Sequence, residues 1–170
     1  MSASSINHVS VSANDLGESI EFYEQVLGME RVPTPNFAFP VQWLRLGGQQ
    51  LHLFVRENVE APAFHHVGLN VDDFEALFWR ARKEGLNDDS AFFSGMYQLP
   101  DGAVQMYLRD PAGNLIEIDW PDSTTLDARI QAELLPLAST VVQTGDALKA
   151  TLFLDRNSRP EAAGQNAGQK

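Results

Sequence analysis

Phe64-His65-His66-Val67-Gly68-Leu69-Asn70-Val71-Asp72-Asp73-Phe74 decides the fold. Val67, Leu69 and Val71 alternate with His66, Gly68 and Asn70, the period-two pattern of a half-buried strand. Asp72 or Asp73 then offers a carboxylate oxygen to cap a helix from Phe74 to Glu84, which Gly85 ends.

The same arrangement stands earlier, at Ile6-Asn7-His8-Val9-Ser10-Val11-Ser12-Ala13-Asn14-Asp15-Leu16. Val9 and Val11 share one face, and His8, Ser10 and Ser12 the other. Asn14 or Asp15 caps a helix running to Leu27, with Leu16, Ile20, Tyr23 and Leu27 at helical spacing and Gly28 as its stop. His8 precedes Asp15 by seven residues, and His66 precedes Asp73 by seven. Two strand–cap–helix–glycine units with a histidine in the same phase are an internal repeat.

Each repeat continues in strands. In the first, Met29 to Val32 is a short strand, broken by Pro33-Thr34-Pro35. Val41 to Leu46 and Gln49 to Arg56 form a hairpin about Gly47-Gly48. In the second, Ala91 to Leu99 holds an interrupted strand, and Ala103 to Arg109 and Asn114 to Trp120 follow across the turns Pro100-Asp101-Gly102 and Asp110-Pro111-Ala112-Gly113. Each copy is β-α-β-β-β. The expected organisation is a first module over 1–56, a linker over 57–63, a second module over 64–121 and an extension over 122–155. The extension is read as a helix over Ser123 to Leu137, then a short strand or docking segment over Leu148 to Leu154. Residues 156–170 lack large apolar side chains and are expected to form a mobile tail.

Composition narrows the chemistry. The chain has 170 residues, 44% of them hydrophobic, which is ordinary for a globular protein. A net charge of −11 argues against nucleic acid and against anionic membrane as partners. There is no apolar run long enough to span a bilayer, and the first residues lack a secretory pattern, so a cytoplasmic location is expected. With no cysteine, any metal must be held by histidine and carboxylates.

Strand parity says which of these residues face together. If the helices cover the apolar faces, the opposite faces carry His8, His52, His66, Tyr107 and Glu117, while His65 takes the parity of Val67. Alone, each has a plainer reading: a strand histidine is usually a hydrogen-bonded surface or core group, Glu117 a solvated carboxylate, and Asp119 a surface or supporting one. Together, two imidazoles and a carboxylate in phase are the ligand set of a facial-triad centre with open positions for substrate.

The residues His8-Val9-Ser10-Val11, Asp15-Leu16, Ser19, Phe22-Tyr23, Leu27-Gly28, Leu51-His52-Leu53, His66-Val67-Gly68-Leu69, Val71-Asp72-Asp73, Asp110-Pro111-Ala112-Gly113-Asn114 and Ile116-Glu117 resemble the vicinal-oxygen-chelate superfamily. That family includes glyoxalase I, extradiol dioxygenases, and fosfomycin and bleomycin resistance proteins. The resemblance spans about the first 120 residues. It implies an α+β fold of two βαβββ modules whose curved mixed sheet surrounds a central cavity, often in a homodimer. It implies a divalent metal on His8, His66 and Glu117, with Fe(II) favoured and Mn, Ni or Zn as alternatives.

The family position on the last strand of the first module holds His52, where glyoxalase I typically has a glutamate. In extradiol enzymes a histidine on that strand is the acid/base, and a tyrosine stands ten residues before the ligand glutamate, as Tyr107 does before Glu117. A further histidine of those enzymes, nine residues before the tyrosine, is Gln98 here. The resemblance therefore implies an Fe(II) extradiol-type dioxygenase acting on a small catechol-like substrate, with His52 as acid/base and Tyr107 as hydrogen-bond donor. Phe37, Phe39, Trp43, Phe92 and Phe93 are read as core or pocket wall. The alternatives are a glyoxalase-I-like lyase or isomerase with His52 as fourth ligand, and a drug-binding resistance protein.

Overall fold

In the computed structural model the described residues are 5–56, 60–90 and 93–154. The first repeat contains β1 (His8–Ala13), α1 (Leu16–Gln25), β2 (Glu30–Val32), β3 (Val41–Leu46) and β4 (Gln49–Val55). The second contains β5 (His66–Asn70), α2 (Phe74–Glu84), β6 (Tyr97–Gln98), β7 (Val104–Arg109) and β8 (Leu115–Trp120). After it come a 3-10 turn (Ser123–Thr125), α3 (Ala128–Gln131), β9 (Leu135–Pro136), α4 (Leu137–Thr140) and a second 3-10 turn (Gly145–Lys149). The fold is α+β, with two mixed sheets ordered β1-β4-β3-β2 and β5-β8-β7-β6-β9. In both, the first strand of the repeat neighbours the last, so the duplication is topological as well as sequential.

The chain forms two compact units. One comprises Met1–Val67 with Arg109–Leu115, the other Gly68–Leu108 with Ile116–Lys170. In the first, Asp15 caps α1 by accepting from the Glu18 amide at 2.9 Å. Packing of α1 on β3 and β4 buries Ile20, Phe22, Tyr23, Leu44, Leu51 and Leu53. β1 runs parallel to β4 with His8 opposite Gln50 and Ser10 opposite His52, and β3 runs antiparallel with Trp43 opposite His52. The turn after β7 belongs to this unit. The Asp110 carboxylate accepts from the Tyr23 hydroxyl at 2.9 Å and from the Asn114 side-chain amide at 2.7 Å, and Asn114 also donates to the Ser12 carbonyl.

In the second unit, Asp73 caps α2 through the Ala76 amide. Gly85 closes the helix at φ +68°, a conformation that glycine adopts without a Cβ penalty. Phe74, Leu77, Phe78 and Ala81 of α2 are buried, and Phe74 meets the Trp120 ring.

The extension departs from the sequence expectation. Ser123 to Leu137 is not one helix. Asp122 and Asp127 each start a new short helical piece, accepting from Thr124 and Arg129, with extended Leu126 between them. Leu135 precedes a proline, which disfavours the helical region. It pairs instead as β9, parallel to β6, with Leu135 opposite Tyr97. Of the apolar residues near helical spacing, Leu126, Ile130, Leu134 and Leu135, the first two are buried, Leu134 is half-buried and Leu135 is exposed.

Leu148 to Leu154 forms no strand. Phe153 is its buried anchor, while Leu148, Leu152 and Leu154 are exposed. The strand expected over Ala91 to Leu99 shortens to Tyr97–Gln98, with residues 91–92 outside the described part. The tail expectation for 156–170 also lies outside it. No helix among the described residues is long and apolar enough to cross a membrane.

Candidate functional site

β1 and β4 bring His8 and His52 ring to ring. Their centroids are 4.2 Å apart and their planes within 14°. On the other face of His52 lies Trp43, at 4.4 Å and 6°. The His52 imidazole is therefore sandwiched, and it is 6% exposed. Its Nε2 meets Gln50 Oε1 at 2.8 Å. Because an amide oxygen only accepts, Nε2 carries the proton and the lone pair sits on Nδ1. Burial, and then the neighbouring His8, hold its pKa below the ordinary histidine value.

His8 and His66 use the opposite nitrogen. His8 Nδ1 lies 3.0 Å from Asn7 Oδ1, and His66 Nδ1 lies 3.0 Å from the Phe64 carbonyl oxygen. Both oxygens accept, so each Nδ1 donates and the lone pair of the neutral ring stands on Nε2. His66, exposed at the start of β5, lines a hollow of about 330 Å³ together with Ser10, Ser12, His65 and Asn114. Around the stack, Phe37 and Phe39 pair at 5.6 Å, Phe37 tilts towards Trp43 and Phe39 towards Phe54. Both phenylalanines are exposed, and they line a second hollow, of about 510 Å³.

In the other unit, β7 and β8 set Gln105, Tyr107, Glu117 and Asp119 on one face. The Tyr107 hydroxyl donates to Glu117, and burial, then that carboxylate, push the phenol well above its ordinary range. Glu117 and Asp119 share a hydrogen bond, and each is 5% exposed. Burial first, then Glu117, lift Asp119 to about 8, opposed by a hydrogen bond from Gln105. Gly68 makes room for the pair, since a Cβ there would sit 3.2 Å from Asp119 Oδ2 and 3.6 Å from Glu117 Oε1. Phe93 is buried and meets the Tyr107 ring at 4.8 Å. Phe92 lies outside the described residues.

The structure thus joins His8 to His52 in one unit and Tyr107 to Glu117 in the other. His8 and His66 belong to the first unit and Glu117 to the second. Among the described residues, no three histidine, aspartate or glutamate side chains are grouped to hold a metal ion. The donor chemistry itself fits a divalent cation: two imidazoles with Nε2 lone pairs and one carboxylate. Of the two readings of Asp119, the supporting one holds, since it is buried and hydrogen-bonded to Glu117; the solvated reading of Glu117 does not, since that side chain is buried too. Gln50 was not singled out by sequence, although it shares the parity of His52. Asn7 has the opposite parity to His8 and gave no signal.

The model of the Glyoxalase/Bleomycin resistance protein/Dioxygenase superfamily matches residues 5–118. An uncharacterized Bacillus subtilis protein, YwbC, is 29% identical over 126 residues, covering 68% of this chain and 96% of its own length. Glyoxylase I 4 of Arabidopsis thaliana is 27% identical over 131 residues, covering 70% and 72%. The crystal structure of a protein assigned to the glyoxalase family from Bacillus anthracis superposes with a TM-score of 0.56 at 25% identity, over 70% of this chain and 96% of the other. The repeat, the mixed sheets and this match together make the chain a member of the Glyoxalase/Bleomycin resistance protein/Dioxygenase superfamily, the vicinal-oxygen-chelate group.

Proposed function

We propose that this chain is a divalent-metal-dependent enzyme that cleaves a small catechol-like substrate in the extradiol manner, with His8, His66 and Glu117 as ligands. The observation that carries the reading is the contrast among the three imidazoles. His8 and His66 each turn Nδ1 to an oxygen, the arrangement in which a metal-ligating histidine uses Nε2. His52 spends Nε2 and keeps Nδ1, with both ring faces covered. That arrangement supports proton transfer by His52 over its service as a fourth ligand.

When bound, a divalent ion would polarise two adjacent substrate oxygens and acidify a hydroxyl. His52 Nδ1 would take the hydroxyl proton and later return it. Its depressed pKa keeps the ring neutral and ready to accept near pH 7. The Tyr107 hydroxyl would orient the Glu117 carboxylate by donating to it. Fe(II) is the metal we favour, over Mn, Ni or Zn. A cytoplasmic homodimer is the form we expect to be active, to be checked by light scattering.

Anaerobic purification, elemental analysis and oxygen uptake with a catechol panel test this. The expected result is one metal per chain, retained in His52→Ala, with uptake abolished in that variant. Loss of the metal in His52→Ala, or an iron-loaded protein inert to the panel, would overturn it. The second reading is a glyoxalase-type lyase, supported by the name of the Arabidopsis relative. Turnover without oxygen uptake would establish it.

A further inference from the structure

The geometry points to Gln50 as the positioning residue that locks the His52 imidazole in its Nε2–H tautomer, leaving Nδ1 as the sole proton acceptor and the ring edge as the sole approach. This rests on the reading of His52 as the acid/base group, and it adds a residue that the sequence patterns did not single out. Gln50 and His52 are two apart on β4 and therefore point to one face. The Gln50 oxygen meets Nε2 at 2.8 Å and can only accept. Among the described residues Nδ1 keeps no hydrogen-bond partner.

The stack completes the lock. His8 at 4.2 Å and Trp43 at 4.4 Å lie nearly parallel to the ring, on opposite faces. A half turn about Cβ–Cγ, which would put Cε1 where Nε2 stands, would drive the ring edges into both neighbours, so Nε2 cannot leave Gln50 without opening the stack. A substrate proton must therefore arrive in the plane of the ring. Without Gln50, the ring would still be sandwiched, but nothing among the described residues would choose between its two neutral tautomers.

The test is nitrogen-15 NMR of histidine-labelled full-length protein at about pH 8.5, where histidines are neutral. A pyrrole-type shift at His52 Nε2 and a pyridine-type shift at Nδ1 are expected. Gln50→Leu should mix or reverse the two, and Gln50→Glu, which still offers only acceptor oxygens, should restore them. In turnover assays Gln50→Leu should lower kcat at least tenfold with KM nearly unchanged. A proton on Nδ1 in the wild type, or shifts indifferent to Gln50→Leu, would overturn the inference. If the variants misfold, a proton on Nδ1 in the wild type still overturns the inference. A correct tautomer in a protein whose His52→Ala variant keeps full turnover would instead sink the assignment of His52 as acid/base.

Discussion

Trp43 lies flat against His52, its ring plane within 6° of the imidazole. The indole fills one wall of the slot that holds the imidazole, and its own Nε1 is buried without a hydrogen-bond partner among the described residues. Trp43→Ala should destabilise the protein by about 2–3 kcal/mol, less than a fully buried tryptophan would cost. It should also free His52 to reorient. Urea unfolding measures the first effect. Loss of the single His52 tautomer by NMR measures the second.

The Asp110 carboxyl is the buried anchor of its turn. Tyr23→Phe removes one donor from it and should cost about 1.5 kcal/mol in denaturant unfolding. Burial raises the Asp110 pKa, and the bonds from Asn114, Tyr23 and Ala112 oppose that rise without cancelling it. A raised carboxyl pKa means the folded chain holds a proton that the unfolded chain has released. The stability from this group is therefore full below roughly pH 4, the unfolded value, and is lost as pH rises through the folded pKa. Relative to Asp110→Asn, the wild type should lose stability as pH rises above about 4. Parallel unfolding curves for the two proteins across that range would refute it.

Asn7 holds the Nδ1 proton of His8 at 3.0 Å. If His8 is a ligand, Asn7→Ala should weaken divalent-metal affinity about tenfold or more while leaving the fold intact. Calorimetric titration with Mn(II) reads this directly. His66→Ala and Glu117→Gln should weaken it further.

Gly68 faces Glu117 and Asp119 with too little room for a branched side chain. Gly68→Val should cost about 1–3 kcal/mol by displacing the two carboxylates. Gly68→Ala should cost less, because Asp119 can rotate aside. Thermal melts of the two variants side by side check the order.

The extension is fastened by burial more than by charge. Ile130→Ala should cost about 3 kcal/mol, since its side chain is fully enclosed. Glu133→Gln breaks the ion pair with Arg82, whose partners are partly exposed, and should cost less than about 1 kcal/mol. Chemical unfolding that ranks Glu133→Gln above Ile130→Ala would reverse this account.

What could be read in advance followed from local rules. The double glycine Gly47-Gly48 allows one tight hairpin, so Val41–Leu46 is placed to the residue and Gln49–Val55 to within one. Alternation puts His8, His52, His66, Tyr107 and Glu117 on the faces away from the helices, and within each unit it pairs His8 with His52 and Tyr107 with Glu117 as found. The parallel pairing of β1 with β4, which sets Ser10 opposite His52, depends on contacts distant in sequence. Alternation also cannot tell a solvated carboxylate from a buried one, so it leaves two readings of Asp119 open and does not show that Glu117 is buried. In the extension, the near-helical spacing of Leu126, Ile130, Leu134 and Leu135 suggests one helix, but Asp122 and Asp127 start separate short pieces and Pro136 ends the run. Gln50 escaped notice because its role depends on a side-chain rotamer, to which strand phase is blind.

The turn Asp110–Asn114 is encoded in the second half of the duplication but seated in the first unit, under Tyr23 and Ser12. A gene fragment ending in the linker would therefore yield a polypeptide with a stranded phenol and carbonyl. Such a half is no self-sufficient folding unit, and supplying the missing half in trans is what should rescue its solubility.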